Sequence, residues 1–283
     1  LAATLYVIRK DISKMLSNFS KPLVMEILSS AWPFLISGAL GALMLNTDIL
    51  IIGLFRSPKD VGLYSASVRI VQLLYIFAGV VASSSLPIFS RFVTEEKGRI
   101  RAAVKKILRF AFSFSLPVSF CGIVAGGALI NLLFGQEYIP AVLSFKILLL
   151  TLAFNFVAII LSNVIFVYNM QKKLMLYAAI GGFLNVAFDL VLIPKFGING
   201  SAFATLFSQI IADSYLWYIA WRVVGVDWNL KVWKIFWSSV LSAIFVFGLL
   251  KAGVNVIIAG PLTVAFYLAA LYLFKENIIE EIK

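Results

Sequence analysis

Eight apolar stretches alternate with short polar links along the chain, and each is long enough to cross a bilayer. Hydrocarbon offers no partner to a backbone N–H or C=O, so a run of about 20 apolar residues is stable there only as a helix that satisfies its own amides. The pattern predicts transmembrane helices over residues 31–55, 61–89, 110–134, 141–168, 174–193, 198–221, 235–250 and 253–274. The fold class that follows is all-α: a polytopic membrane helix bundle of about eight transmembrane helices.

The links give this bundle a direction. With residue 1 on the cytoplasmic side, the inner segments hold Arg9, Lys10, Lys14 and Lys21, then Arg91, Lys97, Arg99, Arg101, Lys105, Lys106 and Arg109, then Lys172, Lys173, Arg222, Lys231, Lys234, Lys275 and Lys283. The outer links hold only Arg56, Lys59, Lys195 and Lys251. Lys and Arg accumulate on the cytoplasmic side of membrane proteins, so this asymmetry predicts a multi-pass protein of the cell membrane with both ends of the chain cytoplasmic.

Composition agrees and removes several kinds of chemistry. A hydrophobic share of 62% lies well above that of soluble domains. The net charge of +11 would suggest nucleic acid in a soluble chain, but topology and anionic headgroups account for it here, and no nucleic-acid partner is expected. There is no His, and the single Cys121 lies inside an apolar span. That excludes His-based acid–base chemistry, His/Cys metal sites and disulfides, so neither a metal nor a cofactor is expected. Leu1–Ile8 is apolar and ends at Arg9-Lys10 without the features of a signal peptide, which reads as the last turns of an earlier span, with an interfacial lead-in as the alternative.

Between Arg91 and Arg109, Ile100, Val104, Ile107 and Leu108 fall at helical spacing with cations between them. This predicts an amphipathic helix lying in the inner interface, either as a topological signal or as a surface that gathers an anionic lipid. All six Trp residues, Trp32, Trp217, Trp221, Trp228, Trp233 and Trp237, map to the inner boundary and read as headgroup anchors.

Polar residues within the spans are the best functional clues, because a charge at mid-membrane costs about 2.5–3.5 kcal/mol on insertion scales. Asp48 and Arg69 each lie about 10 Å below the outer surface on consecutive antiparallel spans, which predicts a hairpin ion pair, structural or facing a hydrated cavity. Lys146 and Asp189 lie near the outer ends of their spans and could snorkel. Asp213 is deeper, one turn from Gln209, and Asn46, Asn155, Asn163 and Asn185 also interrupt apolar runs. Cross-helix hydrogen bonding accounts for many such amides, but the whole set points to a hydrated interior pathway. Pro33, Pro87 and Pro117, with Gly38 and Gly41, mark spans able to bend. The segment 47–52 also echoes 188–193, each carrying an Asp at its second position.

Four ordered patterns now resemble the C-terminal half of polysaccharide-biosynthesis flippases of the Wzx type, within the multidrug/oligosaccharidyl-lipid/polysaccharide exporter superfamily. They are Pro33 with Asn46-Thr47-Asp48 and Val61-Gly62-Leu63-Tyr64-Ser65-Ala66, then Leu86-Pro87 with Ser90-Arg91, then Leu133-Phe134-Gly135-Gln136-Glu137-Tyr138 with Ala141, and finally Asn185 with Leu192-Ile193-Pro194-Lys195-Phe196-Gly197-Ile198-Asn199-Gly200-Ser201-Ala202. The resemblance implies two facing six-helix lobes followed by two extra helices. Residues 1–30 would then be the end of a preceding span and a cytoplasmic linker, 31–221 the C-terminal lobe, and 222–283 the extra helices and a cytoplasmic tail. The missing N-terminal lobe becomes a partner, alongside membrane lipids.

The function implied is movement of a glycan on a polyprenyl pyrophosphate from the inner to the outer leaflet, through a cavity whose cations suit the pyrophosphate. Asp48 and Asn185 fall within matching motifs, and Arg69 follows the Gly-Leu-Tyr motif where the family often carries a basic residue. Lys146, Asp189, Asn155, Gln209 and Asp213 join the candidate pathway from the residue reading alone. The nearest rival is a cation-coupled small-molecule exporter of the same superfamily. A membrane glycosyltransferase or polymerase would need carboxylates with room for sugars, and the tiny outer links, with Glu137 as their only Glu, argue against an enzyme.

Overall fold

A computed structural model describes residues 20–93, 97–226, 230 and 232–274, and for residues 30, 33, 34, 37, 40–46 and 97 the backbone only. The expectations for Leu1–Ile8, Trp228, Lys231, and the side chains of Pro33 and Asn46 lie outside the described residues. Eight long helices run through the rest: α1 (Lys21–Phe55), α2 (Pro58–Phe92), α3 (Lys97–Phe134), α4 (Val142–Val167) after a 3-10 turn at Gln136–Ala141, α5 (Gln171–Phe196), α6 (Ile198–Val224), α7 (Trp233–Lys251) and α8 (Val256–Leu273).

Among the described residues, six helical runs are long and apolar enough to cross a membrane: Pro58–Phe92, Gly98–Phe134, Gln136–Val167, Gln171–Phe196, Trp233–Lys251 and Val256–Leu273. Two predicted spans are outside this set, and the first of them, α1, includes residues outside the described side chains. The second is α6, whose Asn199, Gln209, Asp213 and Arg222 lower its hydropathy although its length of 27 residues suffices. The all-α membrane bundle stands.

The bundle is organised around α4, which packs against α2, α3 and α6. Its apolar residues are spread around the whole helix, broken only by a few polar ones such as Lys146, Thr151, Asn155 and Asn163, as suits a helix enclosed by neighbours. Two apolar clusters stack along it. One, towards the end with the short α1–α2 and α5–α6 turns, gathers Ile52, Val71, Phe145, Leu149, Ile193 and Leu206. The other, towards the basic end, gathers Phe89, Ile100, Leu108, Phe156, Leu161 and Trp217.

Consecutive helices are not always neighbours. The helices α5 and α6 pack along their length, whereas α1 packs chiefly on α5 and only lightly on α2. The helix α7 lies on α3 and carries α8, where the Tyr267 hydroxyl donates to the Ser113 carbonyl at 2.8 Å.

Two expectations change at the basic end. The segment after residue 97 is no separate interfacial helix: it continues into the span as one helix of 38 residues. Ile100, Val104 and Leu108 are fully buried in the cluster that also holds Val224, Val226 and Leu230, so their apolar face meets protein instead of lipid. Trp217 likewise belongs to this core, while Trp32, Trp221, Trp233 and Trp237 are exposed as anchors would be.

Candidate buried polar site between the first, second, fifth and sixth helices

The turn between α5 and α6 is a single residue. Gly197 adopts φ +59° and ψ −138°, a conformation that L side chains rarely adopt. Three residues on, a Cβ at Gly200 would stand 2.3 Å from the Leu192 carbonyl oxygen, so only glycine allows the start of α6 to approach the end of α5. Arg56, at the end of α1, reaches across and donates to the Ile193 carbonyl (2.9 Å from Nη2, 3.2 Å from Nε) and the Pro194 carbonyl (2.9 Å). The Ile193 carbonyl also accepts from the Gly197 N–H at 2.9 Å, so Arg56 adds to the bonding at the end of α5, where helix carbonyls run short of partners. Arg56 was expected only as an outer-link cation, and its spacing carries no hint of this clamp.

The clamp and the tight turn bring α1 and the α5–α6 hairpin together, and Asp48, Asn185 and Asp189 meet there. The Asp48 Oδ2 accepts from the Tyr64 hydroxyl of α2 at 2.7 Å and from the Thr205 hydroxyl of α6 at 3.0 Å. Asn185 Nδ2 donates to Thr205 at 3.4 Å. Asp189 lies within electrostatic reach of Asp48, and Ser201 faces it without closing a hydrogen bond. Asp189 and Asn185 are fully buried, and Asp48 is 4% exposed.

Several oxygens here have no hydrogen-bond partner among the described residues: Asp48 Oδ1, both carboxylate oxygens of Asp189, Asn185 Oδ1 and Ser201 Oγ. Two buried carboxylates with free oxygens repel one another and lose their hydration, a combination that costs several kcal/mol per ion unless a proton or a cation is shared between them. Every free atom is a hard oxygen donor, and none is nitrogen or sulfur. Such a set suits a proton or a hard cation.

The remaining expected residues divide. The Asp48–Arg69 hairpin pair does not form, because α1 lies on α5 and turns Asp48 towards Asn185 and Thr205, while Arg69 stands exposed on α2. Lys146 is half-buried, with its stem against Gly126 of α3. Asn155 is half-buried with a partnerless Oδ1. Asn163 bonds across helices to the Ala82 carbonyl at 2.7 Å, the structural role expected of such amides. Gln209 and Asp213 are buried further along α6, where the Tyr177 hydroxyl donates to Asp213 Oδ1 at 3.0 Å. Tyr64, Ser201 and Thr205 were not singled out. Tyr64 and Ser201 stood inside the quoted motifs, and Thr205 lies one helical turn beyond Ser201, a spacing that could have found it.

A separate apolar groove of about 830 Å³ lies between α2 and α3, with Phe156 as one wall and Arg99 and Lys106 at its basic end.

Comparison with known proteins now bears on both fold and site. Residues 3–143 match the family described as polysaccharide biosynthesis protein. A capsular polysaccharide biosynthesis protein, CapF, of Staphylococcus aureus is 24% identical over 77% of this chain and 54% of its own length. A probable low-salt glycan biosynthesis flippase, Agl15, of Haloferax volcanii is 26% identical over 57% of this chain and 34% of its own. Among solved structures, the lipid II flippase MurJ in an inward closed conformation superposes with a TM-score of 0.76 at 16% identity, over 92% of this chain and 57% of that one. A MATE structure in the straight conformation gives 0.62 at 17%, over 87% and 60%.

The class is therefore a polytopic helical protein with the fold of the exporter superfamily. Within it, the likeness runs to the polysaccharide-biosynthesis flippases, as the four sequence motifs had indicated. The chain spans about half the length of the relatives it matches, or less.

Proposed function

We propose that this chain is the C-terminal part of a flippase that moves a polyprenyl-pyrophosphate-linked oligosaccharide across the cell membrane, driven by a monovalent cation held at Asp48 and Asp189. In this reading it is a transporter and not an enzyme. Residues 31–221 form one lobe that rocks against an N-terminal lobe, residues 222–283 add two helices, and both ends of the chain are cytoplasmic. The likeness to polysaccharide-biosynthesis proteins supports the substrate class. The observation that carries the coupling is the pair of buried carboxylates with free oxygens, of which Asp48 is tied to Tyr64 of α2 and, through Thr205 of α6, to Asn185 of α5. A cation seated there would pull α1, α2 and the α5–α6 hairpin together, and its release would let them part.

Arg69 serves the pyrophosphate. An exposed charge inside an apolar helix needs water or an anionic partner, and Arg69 has neither an ion pair nor a hydrogen bond among the described residues. Lys146 has a lesser part, being packed against α3. Arg99 and Lys106, at the end of the apolar groove, suit the phosphate of a lipid on the cytoplasmic side.

Reconstituted full-length protein tests this. Flipping of a lipid-linked oligosaccharide should depend on a cation gradient, and Arg69→Ala should lower it by about tenfold or more without loss of insertion, with partial recovery in Arg69→Lys. Flipping at wild-type speed in Arg69→Ala removes this residue from the pathway. A wild-type protein that exports small cationic molecules and leaves the glycan lipid in place makes the exporter reading the correct one.

A further inference from the structure

The polar residues of α5 and α6 do not end at the Asp48–Asp189 cluster. On α5, Asp189, Asn185, Gly181 and Tyr177 recur at every fourth position, and on α6 so do Ser201, Thr205, Gln209 and Asp213. The two series run antiparallel from the Gly197 turn, so their members face one another in order. Three rungs are evident: Ser201 faces Asp189, Asn185 donates to Thr205 at 3.4 Å, and Tyr177 donates to Asp213 at 3.0 Å. At the fourth position of the register stand Gln209 and Gly181, both buried. Twelve residues of helix, a little over three turns, make this seam about 18 Å long.

Its far end repeats the character of its near end. Asp213 is 7% exposed and its Oδ2 has no partner among the described residues. Beside it, the hydroxyls of Tyr75 on α2 and Thr151 on α4 bond to each other at 2.6 Å. Tyr75 lies within electrostatic reach of both Asp213 and Asp48, and Tyr177 within reach of Tyr75. This level falls between the two apolar clusters, where Tyr75 touches both. A buried carboxylate there weakens the bundle unless it is used.

We propose that Asp213, with Tyr177 and Gln209, is a second station for a monovalent cation such as Na+, and that the α5–α6 seam carries the ion between Asp189 and Asp213 during the transport cycle. The carboxylates sit at the two ends, and neutral oxygen donors bridge the span between them. The Tyr177 hydroxyl fixes one carboxylate oxygen and leaves the other for the ion. The inference rests on reading the Asp48–Asp189 cluster as a cation site, but it does not need the cargo to be a glycan.

The test uses full-length protein in proteoliposomes with radioactive Na+ as the probe, alongside Na+-dependent thermal stabilisation in detergent. Asp189→Asn should lose both Na+ stabilisation and Na+ exchange. Asp213→Asn, nearly isosteric and still able to accept from Tyr177, should keep Na+ stabilisation within about twofold in half-saturating concentration while exchange slows about tenfold or more, and Asp213→Glu should restore part of the rate. Exchange at the wild-type rate in Asp213→Asn overturns the proposal, as does a wild type that exchanges protons and no Na+. Loss of exchange in Asp213→Asn together with loss of Na+ stabilisation and of a monodisperse elution profile would make Asp213 structural, and also overturns it. Failure of the wild type to flip a lipid-linked oligosaccharide while Na+ exchange persists would sink the flippase reading and leave the seam standing.

Discussion

The chain contains two hairpins that look alike in sequence and behave differently. Helices α1 and α2 are joined by Arg56-Ser57, and α5 and α6 by Gly197 alone, and each hairpin carries an Asp seven residues before the end of its first helix. In the second hairpin the helices lie against each other and their polar residues form a ladder. In the first they touch lightly. The difference lies in the turn. Gly197 and Gly200 let the two backbones of α5 and α6 meet, whereas Ser57 starts α2 with a capping box closed by Asp60, and Arg56 ties the end of α1 to α5. Adjacency in sequence therefore did not decide which partner Asp48 found.

The strongest way to break this contrast is Gly200→Ala. Its Cβ would press on the Leu192 carbonyl, which is backbone and cannot rotate aside, so the α5–α6 hairpin should lose about 1–3 kcal/mol or more. A fall in the thermal unfolding midpoint of the full-length protein, absent from Gly62→Ala in open space on α2, is the expected reading. An unchanged midpoint would mean that the close approach at Gly200 is not what holds the hairpin.

Next comes Arg56→Ala, which removes the cationic donor from the Ile193 and Pro194 carbonyls at the end of α5. Hydrogen bonds to a charged donor contribute about 1.5–3 kcal/mol each at best, and a half-buried site takes the lower part of that range. Cysteine cross-linking between the ends of α1 and α5 should fall in this variant, and unaltered cross-linking would show that apolar packing alone aligns them.

The smallest effect sharpens the comparison most. A double-mutant cycle of Asp48→Asn with Thr205→Val should show coupling of about 0.5 kcal/mol or more, while the cycle with Arg69→Gln should be additive within about 0.5 kcal/mol. Coupling to Arg69 larger than to Thr205 would restore the ion pair between the first two helices and contradict the packing of α1 on α5.

The weak echo between residues 47–52 and 188–193 gains a physical sense from this arrangement. Each segment presents an Asp at the same depth near the same end of the bundle, and the two carboxylates converge on one cluster. The site residues were thus partly legible. Asp48, Asn185 and Asp189 stood out because the bilayer makes polar side chains conspicuous. Thr205 and Tyr64 did not, since a hydroxyl in a helix can bond its own backbone and costs little. Arg56 was invisible for a different reason: a cation at a membrane surface is ordinary, and only the end of α5 lying beside it gives it work.

Composition and periodicity by themselves determined the all-α membrane bundle, because hydrocarbon tolerates no other way of satisfying the backbone of a long apolar run. They also placed most helix ends within about three residues and marked the expensive polar positions, but not the starts of α1 and α3, which lie well before the apolar runs at Lys21 and Lys97. Which helices touch was decided only in three dimensions. The apolar surfaces of α1 and α2 are interchangeable to a lipid, so no pattern in their sequence says whether they prefer each other or α5. That choice follows from a one-residue turn, a glycine against a carbonyl and an arginine reaching 137 positions along the chain. The tertiary structure thereby turned scattered polar residues into a cluster and a seam, and exchanged the expected partner of Asp48 for Tyr64 and Thr205.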